Sequence, residues 1–188
     1  MPCLMKLLSN FLVRSIGLVL IGVVLCGCVK DVDLNQKEEI SLSPDVQIDL
    51  LIYDIDQSQF KDPSTGNIKT HISDTVRLEF LDDDYIQKDL ATVEFYFRHI
   101  NTFPREINSK IRFLSDANQE QFAVNYVIKP GTAGNPVTTE QFEFIEEDRI
   151  HLVRRTIKMV VELEVQPGSS KFEGELDFAS KGLFSFEF

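Results

Sequence analysis

The stretch Val93-Glu94-Phe95-Tyr96-Phe97-Arg98 decides the fold class. Val93, Phe95 and Phe97 occupy every second position, and the residues between them carry a charge or a hydroxyl group. Successive side chains of a β-strand point to opposite faces of a sheet, so a period of two predicts a strand with one buried and one polar face. We therefore expect this stretch to be a strand in a sheet that is covered on one side.

The same alternation recurs along the chain and predicts an all-β protein. It is found in residues 46–50, 76–80, 111–113, 122–128, 142–144, 157–165 and 184–188. Together with residues 93–98, these segments predict eight or nine short strands, with most of the 15 Phe side chains buried. Short strands without long helices between them are typical of an antiparallel β-sandwich, which we place in residues 45–188.

The connections between the predicted strands are rich in Pro and Gly, which do not interrupt a hydrogen-bond ladder there. Residues 115–118 and 179–182 are predicted to be hairpin connections, and residues 129–136 a hairpin loop. One short helix is predicted at residues 146–154. Its start is acidic, and Arg154 lies at its end, which is the arrangement that the helix dipole favours.

The first 27 residues have the pattern of a secretory signal peptide. Lys6 and Arg14 make this segment positive, and no acidic residue precedes Asp31. Residues 16–25 form an apolar core that is shorter than the roughly 20 residues needed to span a bilayer. A positive start followed by a short apolar core is the layout of a cleaved signal. An uncleaved membrane anchor and a plain signal peptide are the alternatives.

The apolar core ends in Leu25-Cys26-Gly27-Cys28, which resembles the lipobox of bacterial lipoproteins. Leu lies three positions before the expected cut, Gly directly before it and Cys directly after it. The resemblance implies that residues 1–27 are removed and that Cys28 carries the lipid, including palmitate-type acyl chains. Residue 29 is Val; in this family Asp at that position tends to retain the protein at the inner membrane. The resemblance therefore favours the outer membrane, and leaves open whether the periplasmic or the surface face is occupied.

Residues 28–44 are polar and charged, which is typical of a flexible tether between the lipid and a folded domain. The stretch from Val93 to Asn101, followed by Phe103-Pro104 and a second strand, resembles the immunoglobulin-like domains found on many lipoproteins. This resemblance covers about 110 residues and implies an immunoglobulin-like sandwich. It rests on the pattern of strands, because the chain has neither a cysteine pair in this region nor a Trp.

Charge and cysteine content narrow the classes of partner. Lys6 and Arg14 are the only charged residues before Cys28, so the mature chain has 17 basic and 30 acidic residues and a net charge of −13. This charge argues against nucleic acid and anionic lipid headgroups as partners. Cys28 is the only cysteine that the mature chain retains, so neither a disulfide nor a second reactive thiol is expected. No cofactor is predicted.

Two side-chain clusters are candidate binding sites. Asp82, Asp83 and Asp84 place three carboxylates in one turn, where they repel one another unless a cation or water screens them. A cation site and a solvated turn are the two interpretations of this cluster. The second cluster is basic and comprises Arg149, His151, Arg154 and Arg155. It is a candidate docking site for an acidic partner or a sugar acid, with a solvated surface as the alternative.

No catalytic motif is present, so we do not expect an enzyme. Neither Gly-x-Ser-x-Gly nor His-Glu-x-x-His occurs, the three His lack metal-ligand spacing, and His99 is expected at a strand end. We expect a lipid-anchored binding or scaffolding protein of the cell envelope. Its role would be that of an accessory subunit of an outer-membrane complex or of a surface contact module, with an envelope protein as partner.

Two alternatives to this function are kept. The first is a calcium- or glycan-binding lipoprotein module. The second is a small outer-membrane β-barrel with its strands in one closed sheet, because residues 182–188 resemble the alternating, Phe-terminated last strand of such proteins.

Overall fold

The structure is a computed structural model that describes residues 43–166 and 172–188. The eight strands are β1 Asp45–Asp56, β2 His71–Arg77, β3 Leu90–Asn101, β4 Ile107–Leu114, β5 Glu120–Ile128, β6 Val137–Ile145, β7 Lys158–Val165 and β8 Glu175–Phe186. The helical segments are a 3-10 turn Glu79–Asp82, helix α1 Asp84–Asp89 and helix α2 Ile150–Arg154. The predicted signal peptide, the lipid site Cys28 and the predicted tether up to residue 42 lie outside the described residues.

The strands form two four-stranded sheets, in which every neighbouring pair is antiparallel. The order in the first sheet is β1-β8-β3-β6, and the order in the second is β2-β7-β4-β5. Each sheet has two edge strands, so the described strands form two open sheets and not one closed sheet. The predicted all-β antiparallel sandwich is therefore confirmed, with eight strands. No helix among residues 43–166 and 172–188 is long and apolar enough to cross a membrane.

The order of the strands is that of a double-sheet jelly roll. The chain passes from one sheet to the other after every strand except β4, which forms a hairpin with β5 in the second sheet. An immunoglobulin-like domain would place its first, second, fifth and fourth strands together in one sheet. The immunoglobulin-like order is thus not the one found. Alternation of side chains determines which face of a strand is buried, and it does not determine which strands become neighbours.

Aromatic side chains fill the space between the two sheets. Phe95 on β3 lies 4.8 Å from Phe113 on β4 between ring centroids, and Phe113 stacks on Phe122 of β5 at 4.3 Å. Phe95 also meets Phe184 of β8 edge to face, so one ring links both sheets. Each such ring contributes about 1.5 to 3 kcal/mol through burial of its apolar surface. The residues that recur with a period of two in the sequence therefore form the core.

The predicted connections agree with the structure in part. Residues 115–118 form the β4–β5 hairpin turn, in which the Ser115 amide donates to the Gln119 carbonyl at 2.9 Å and Asn118 has a φ of 62°. Residues 179–182, predicted as a second hairpin, instead lie inside β8. Residues 129–136 connect β5 to β6 in the other sheet and are not a hairpin loop. The predicted helix 146–154 is shortened to α2.

The region after β2 differs most from the sequence prediction. Strand β2 ends at Arg77, and the predicted strand residue Phe80 lies in the 3-10 turn instead. Helix α1 follows directly and was not predicted. The turn and α1 carry buried Leu81 and Ile86, which close one end of the core. A two-turn segment of this kind is too short to produce a helical period in the sequence.

At the other end of the sandwich, contacts of Asn101 and Gly131 hold two loops together. The buried Asn101 amide donates to the Lys129 carbonyl at 2.8 Å, and its side-chain oxygen accepts from the Phe103 amide at 2.8 Å. The Gly131 amide donates to the Phe103 carbonyl at 2.8 Å. A Cβ built on Gly131 would collide with the Asn101 carbonyl oxygen, so this close approach of two loops requires glycine.

Candidate functional site

The outer face of the first sheet carries exposed apolar side chains on three neighbouring strands. Phe142 and Phe144 lie on β6, Tyr96 on β3 and Leu183 on β8. Phe142 pairs with Tyr96, and both Phe144 and Leu183 pair with Glu94, so the register places all of them on one side of the sheet. We call Tyr96, Phe142, Phe144 and Leu183 the aromatic face.

Strand β6 presents its aromatic residues to solvent. Phe142 and Phe144 were predicted as buried strand residues, but they are 54% and 51% exposed. Glu143 between them pairs with the buried Phe95 and therefore points to the inside. Ile145 at the end of β6 is fully buried, and because Phe144 directly precedes it, the two must face opposite sides. In β6, therefore, the aromatic positions of the alternating pattern face solvent, and the positions between them face the other sheet. We call this the inverted alternation of β6.

Neighbouring contacts hold the aromatic face in place. The rings of Tyr96 and Phe142 lie 4.9 Å apart between centroids, and the Lys181 ammonium lies 5.1 Å from the Tyr96 centroid. The Tyr96 hydroxyl donates a hydrogen bond to the Glu140 carboxylate, which raises the pKa of Tyr96. Leu183 is 37% exposed beside these rings. Tyr96 therefore contacts an aromatic ring, an ammonium group and a carboxylate on this face.

The outer face of the second sheet has a different character. Arg112 on β4 forms ion pairs with Glu120 and Glu162, both at 2.8 Å, and these carboxylates raise the pKa of Arg112. Lys110 adds a longer contact of 3.8 Å to Glu120. Arg112 and Lys110 on this face are thus paired with neighbouring carboxylates. Contiguous exposed aromatic surface is typical of interaction sites on proteins, so the aromatic face is the stronger candidate.

A cleft of about 560 Å³ lies between β1 and β2, which are the edge strands of different sheets. Its floor is made by side chains that point between the sheets, among them Tyr53, Ile72 and Leu163. Lys69 and Asp74 contribute charged groups to its walls. The sheets are therefore open to solvent along this edge.

Behind the cleft, the core contains a polar layer. The row in the first sheet consists of Tyr53, Phe178, His99 and Thr139. The row in the second sheet consists of Ile72, Leu163, Ser109 and Tyr126. The Tyr126 hydroxyl lies 3.3 Å from His99 Nδ1, while within the described ranges neither His99 Nε2 nor the Tyr53 hydroxyl has a hydrogen-bond partner. This layer is the main polar interruption of the Phe-rich core.

Burial changes the titration of this layer. His99 is completely inaccessible to solvent, and desolvation lowers its pKa to about 3. Burial raises the pKa of Tyr53 and of Tyr126. All three side chains are therefore neutral at physiological pH. His99 was expected at a strand end, but β3 continues to Asn101 and places it inside the strand.

The three predicted carboxylates do not come together around a site. Asp82 ends the 3-10 turn, Asp83 precedes α1 and Asp84 begins α1, and all three are exposed. Asp84 pairs with Lys88 at 3.3 Å. Across residues 43–166 and 172–188, no group of three or more His, Cys, Asp or Glu is arranged to hold a metal ion. In the structure these residues lie on an exposed turn.

Some side chains of the predicted basic cluster form contacts within the domain. Arg149 forms an ion pair with Glu143 at 3.1 Å, and Arg154 donates to the Leu90 carbonyl at 2.8 Å and the Lys88 carbonyl at 3.2 Å. His151 Nδ1 lies 3.0 Å from the Asp148 carbonyl oxygen, and Arg155 is exposed. Only part of the predicted cluster is therefore available to an acidic partner.

Both the aromatic face and the polar layer were missed in the sequence, although each left a signal. Phe144 and Ile145 are adjacent apolar residues in one strand, so one of them had to face outwards. The alternation of β3, if continued by two more steps, places His99 and Asn101 on the inner face. No comparable signal existed for the cleft, because it is formed by two strands from different sheets.

No family model matches the chain, and no curated protein matches it. It is similar in structure to a candidate secreted protein from Parabacteroides distasonis, with 16% identity, a TM-score of 0.43, and coverage of 61% of this chain and 38% of that one. It is also similar to VP2 of infectious bursal disease virus, with 9% identity, a TM-score of 0.46, and coverage of 76% and 32%.

A third similar structure is the enzymatically active domain of tailspike protein 4 of bacteriophage CBA120. Here the identity is 13%, the TM-score is 0.38, and the coverage is 75% of this chain and 19% of that one. The chain thus spans between 19% and 38% of the length of these three proteins. The described residues form an eight-stranded jelly-roll sandwich with an exposed aromatic face.

Proposed function

We propose that the protein is a lipid-anchored binding or scaffolding protein of the cell envelope, and that it docks a partner protein on the aromatic face. The lipobox-like segment that ends in Cys28 supports anchoring, and Val29 supports the outer membrane. In this proposal the protein is an accessory subunit of an outer-membrane complex or a surface contact module, and it is not an enzyme.

The inverted alternation of β6 is the observation that carries the docking proposal. A strand whose Phe142 and Phe144 faced the core would hide both rings, yet here about half of each side chain stays in water. Full burial of a Phe side chain is worth about 1.5 to 3 kcal/mol, so completing the burial of each ring yields about 1 kcal/mol. Aromatic residues at the centre of an interface commonly supply much of the binding energy.

The charges around the aromatic face indicate the chemistry of the partner. Asp49, Glu94 and Glu140 surround it, and Arg98 and Lys181 are the basic residues on the same side of the sheet. The mature chain carries a net charge of −13. A partner with an apolar centre and a basic rim therefore complements this surface, and electrostatic attraction accelerates its association.

A pull-down with paired variants tests the proposal. The full-length protein and the double variant Phe142→Ser, Phe144→Ser would be purified from detergent-solubilised membranes of the cells that produce them. The wild type is expected to retain a stoichiometric protein partner, and the double variant is expected to lose it. Val127→Ser is the matched control, because Val127 is 47% exposed on the outer face of the other sheet.

Three results would count against a protein partner on the aromatic face. The first is that neither form retains a partner. The second is that both forms retain the partner equally. The third is recovery of only a glycan, which would favour the glycan-binding alternative. Retention of the folded circular dichroism spectrum by the double variant excludes unfolding as the cause of a loss.

A further inference from the structure

Strand β6 is an open edge of the first sheet. Its neighbour on one side is β3, and no strand within the described ranges is hydrogen-bonded to its other side. The pairing with β3 is regular from Val137 to Ile145, and β6 contains neither Pro nor Lys. Bulges, Pro and Lys are the common protections of an exposed edge against a further strand. Before Ile145 no side chain of β6 is buried, so this edge is accessible.

The hydrogen bonds of β3 determine which residues of β6 have free backbone groups. Along an inner strand of an antiparallel sheet, successive residues bond alternately to the strand on one side and to the strand on the other. The Thr102 amide donates to the Glu175 carbonyl at 2.9 Å, which extends the ladder between β3 and β8 by one step. Counting back from Thr102 by this alternation, Phe95 and Phe97 bond to β6.

The free backbone groups of β6 belong to the residues of its exposed aromatic side. Glu143 and Gln141 are the partners of these two core Phe residues. Glu140, Phe142 and Phe144 therefore direct their amides and carbonyls away from β3 and towards the open edge. The Gln141 side-chain amide donates to the Phe142 carbonyl at 2.7 Å, in the place where a neighbouring strand would donate. A further strand would replace this side-chain donor with a backbone amide.

Other contacts near this edge leave the outward backbone groups free. The Lys129 amide donates to the Thr139 hydroxyl at 3.1 Å, at the end of β6 where the chain enters from β5. The Arg149 guanidinium pairs with the Glu143 carboxylate at 3.1 Å, on the inward side of β6. Neither contact involves the amides and carbonyls of the aromatic side.

The other three edge strands lack this combination of a regular edge and exposed aromatic side chains. The pairing of β1 is interrupted by a register shift between Asp49 and Leu51, and that of β5 by a shift opposite residues 113–114. Strand β2 is regular, but its outer face carries only polar and charged side chains, namely His71, Ser73, Thr75 and Arg77. Strand β6 is therefore the edge best suited to an apolar partner strand.

Carboxylates lie at both ends of the aromatic segment. Glu140 precedes it and Glu146 follows it, both are exposed, and neither has an ion-pair partner in the described part of the chain. Arg98 lies opposite Glu140 on β3 without forming an ion pair with it. Strand β6 contains no basic residue, so β6 of a second copy would not supply one. Charge complementarity therefore favours a different chain that carries basic residues.

We propose that the partner docks by adding an extended strand antiparallel to β6. Two apolar residues of this strand, separated by one residue, lie opposite Phe142 and Phe144 and exchange backbone hydrogen bonds with them. Basic residues two positions before and after this pair lie towards Glu140 and Glu146. The inference rests on the proposed docking function, and it adds the mode of binding and the sequence pattern of the partner.

Calorimetric titration of the full-length protein in detergent tests this mode with the peptide acetyl-Thr-Lys-Thr-Val-Thr-Val-Thr-Lys-Thr-amide. The peptide is expected to bind, and the same peptide with Glu in place of both Lys is expected to bind at least about tenfold more weakly. N-methylation of both Val residues removes the amide hydrogens that face β6, and should weaken binding at least about tenfold. N-methylation of the Thr that follows each Val is the matched control, because those amides point away from β6.

Protein variants test the same edge from the other side. Glu140→Pro and Glu140→Ala both remove the carboxylate, but only Glu140→Pro removes the outward amide hydrogen, and it leaves the ladder to β3 intact. Glu140→Pro is expected to bind the peptide about fivefold or more weakly than Glu140→Ala. Val127→Ser on the other sheet should bind as the wild type does. Circular dichroism verifies that the variants are folded, and the methylated peptides test the edge without any change in the protein.

Several outcomes would overturn strand addition. They are the absence of peptide binding at millimolar concentration, equal binding of the Val-methylated and unmethylated peptides, and equal binding of the Lys and Glu peptides. Dimerisation that Glu140→Pro abolishes would also overturn it, because a second copy would then occupy the edge. If Phe142→Ser, Phe144→Ser loses the cellular partner but no peptide binds the wild type, strand addition fails while docking on the aromatic face stands. The two proposals can therefore fail separately.

Discussion

Replacing His99 by Gln is expected to remove a specific loss of stability in acid. His99 is fully buried, and its pKa in the folded protein is about 3. In the unfolded chain the same side chain has its ordinary pKa of about 6.5. Above pH 6.5 both states are neutral, and His99 adds no pH dependence. Between pH 6.5 and about 3 only the unfolded state takes up the proton, so the folded protein loses stability as the pH falls.

The size of this loss follows from the two pKa values. At pH 5 nearly all unfolded molecules carry a protonated His99, whereas nearly all folded molecules carry a neutral one. The resulting stabilisation of the unfolded state is about 2 kcal/mol at this pH. The loss continues to grow until the pH reaches about 3, where the folded state begins to take up the proton as well.

Urea unfolding followed by far-ultraviolet circular dichroism measures the effect, since the chain has no Trp for fluorescence. The free energy of unfolding would be determined at pH 7.5 and pH 5.0 for the wild type, His99→Gln and His71→Gln. His71 is exposed, so His71→Gln is the matched control for a His-to-Gln substitution outside the core. The wild type should lose about 2 kcal/mol more than His99→Gln. Equal losses in these two would refute a neutral, buried His99.

Four further substitutions test the core, the aromatic face, the close approach at Gly131 and the lipid anchor. Phe95→Ala should lower the free energy of unfolding by about 3 to 5 kcal/mol, and Phe142→Ala should lower it by about 1 kcal/mol, both measured by urea unfolding. Similar values for the two variants would contradict the inverted alternation of β6. Gly131→Ala should destabilise by about 1 to 3 kcal/mol because its Cβ meets the Asn101 carbonyl, and an unchanged midpoint would disprove that close approach. Cys28→Ala should abolish fatty-acid labelling and release the protein from the membrane, and continued labelling would overturn the lipobox assignment.

The fold class was predictable because burial on one face of a strand leaves a period of two in the sequence. Phe95 and Phe97 show this period and are both fully buried. The jelly-roll order was not predictable in the same way. It depends on connections that carry the chain between sheets, such as the loop with Gly131, and such contacts join residues that are distant in sequence.

The surfaces were harder to predict than the core. Phe142 and Phe144 look like core residues in an isolated strand, and only the buried Ile145 that follows them determines which side is inside. The cleft between β1 and β2 depends on two sheet edges that lie close together in space. Neither Tyr53 nor Asp74 is unusual in its own segment, so no local pattern could have identified them as neighbours.

Photocrosslinking in living cells tests most directly whether the aromatic face is a docking surface. The photoreactive amino acid p-benzoylphenylalanine would replace Phe142 in one variant and Val127, on the other sheet, in a control. Position 142 is expected to crosslink to one envelope protein in an adduct that the control does not form. No adduct from position 142, the same adduct from both positions, or an adduct only with a second copy of the chain would contradict docking of a partner protein on this face.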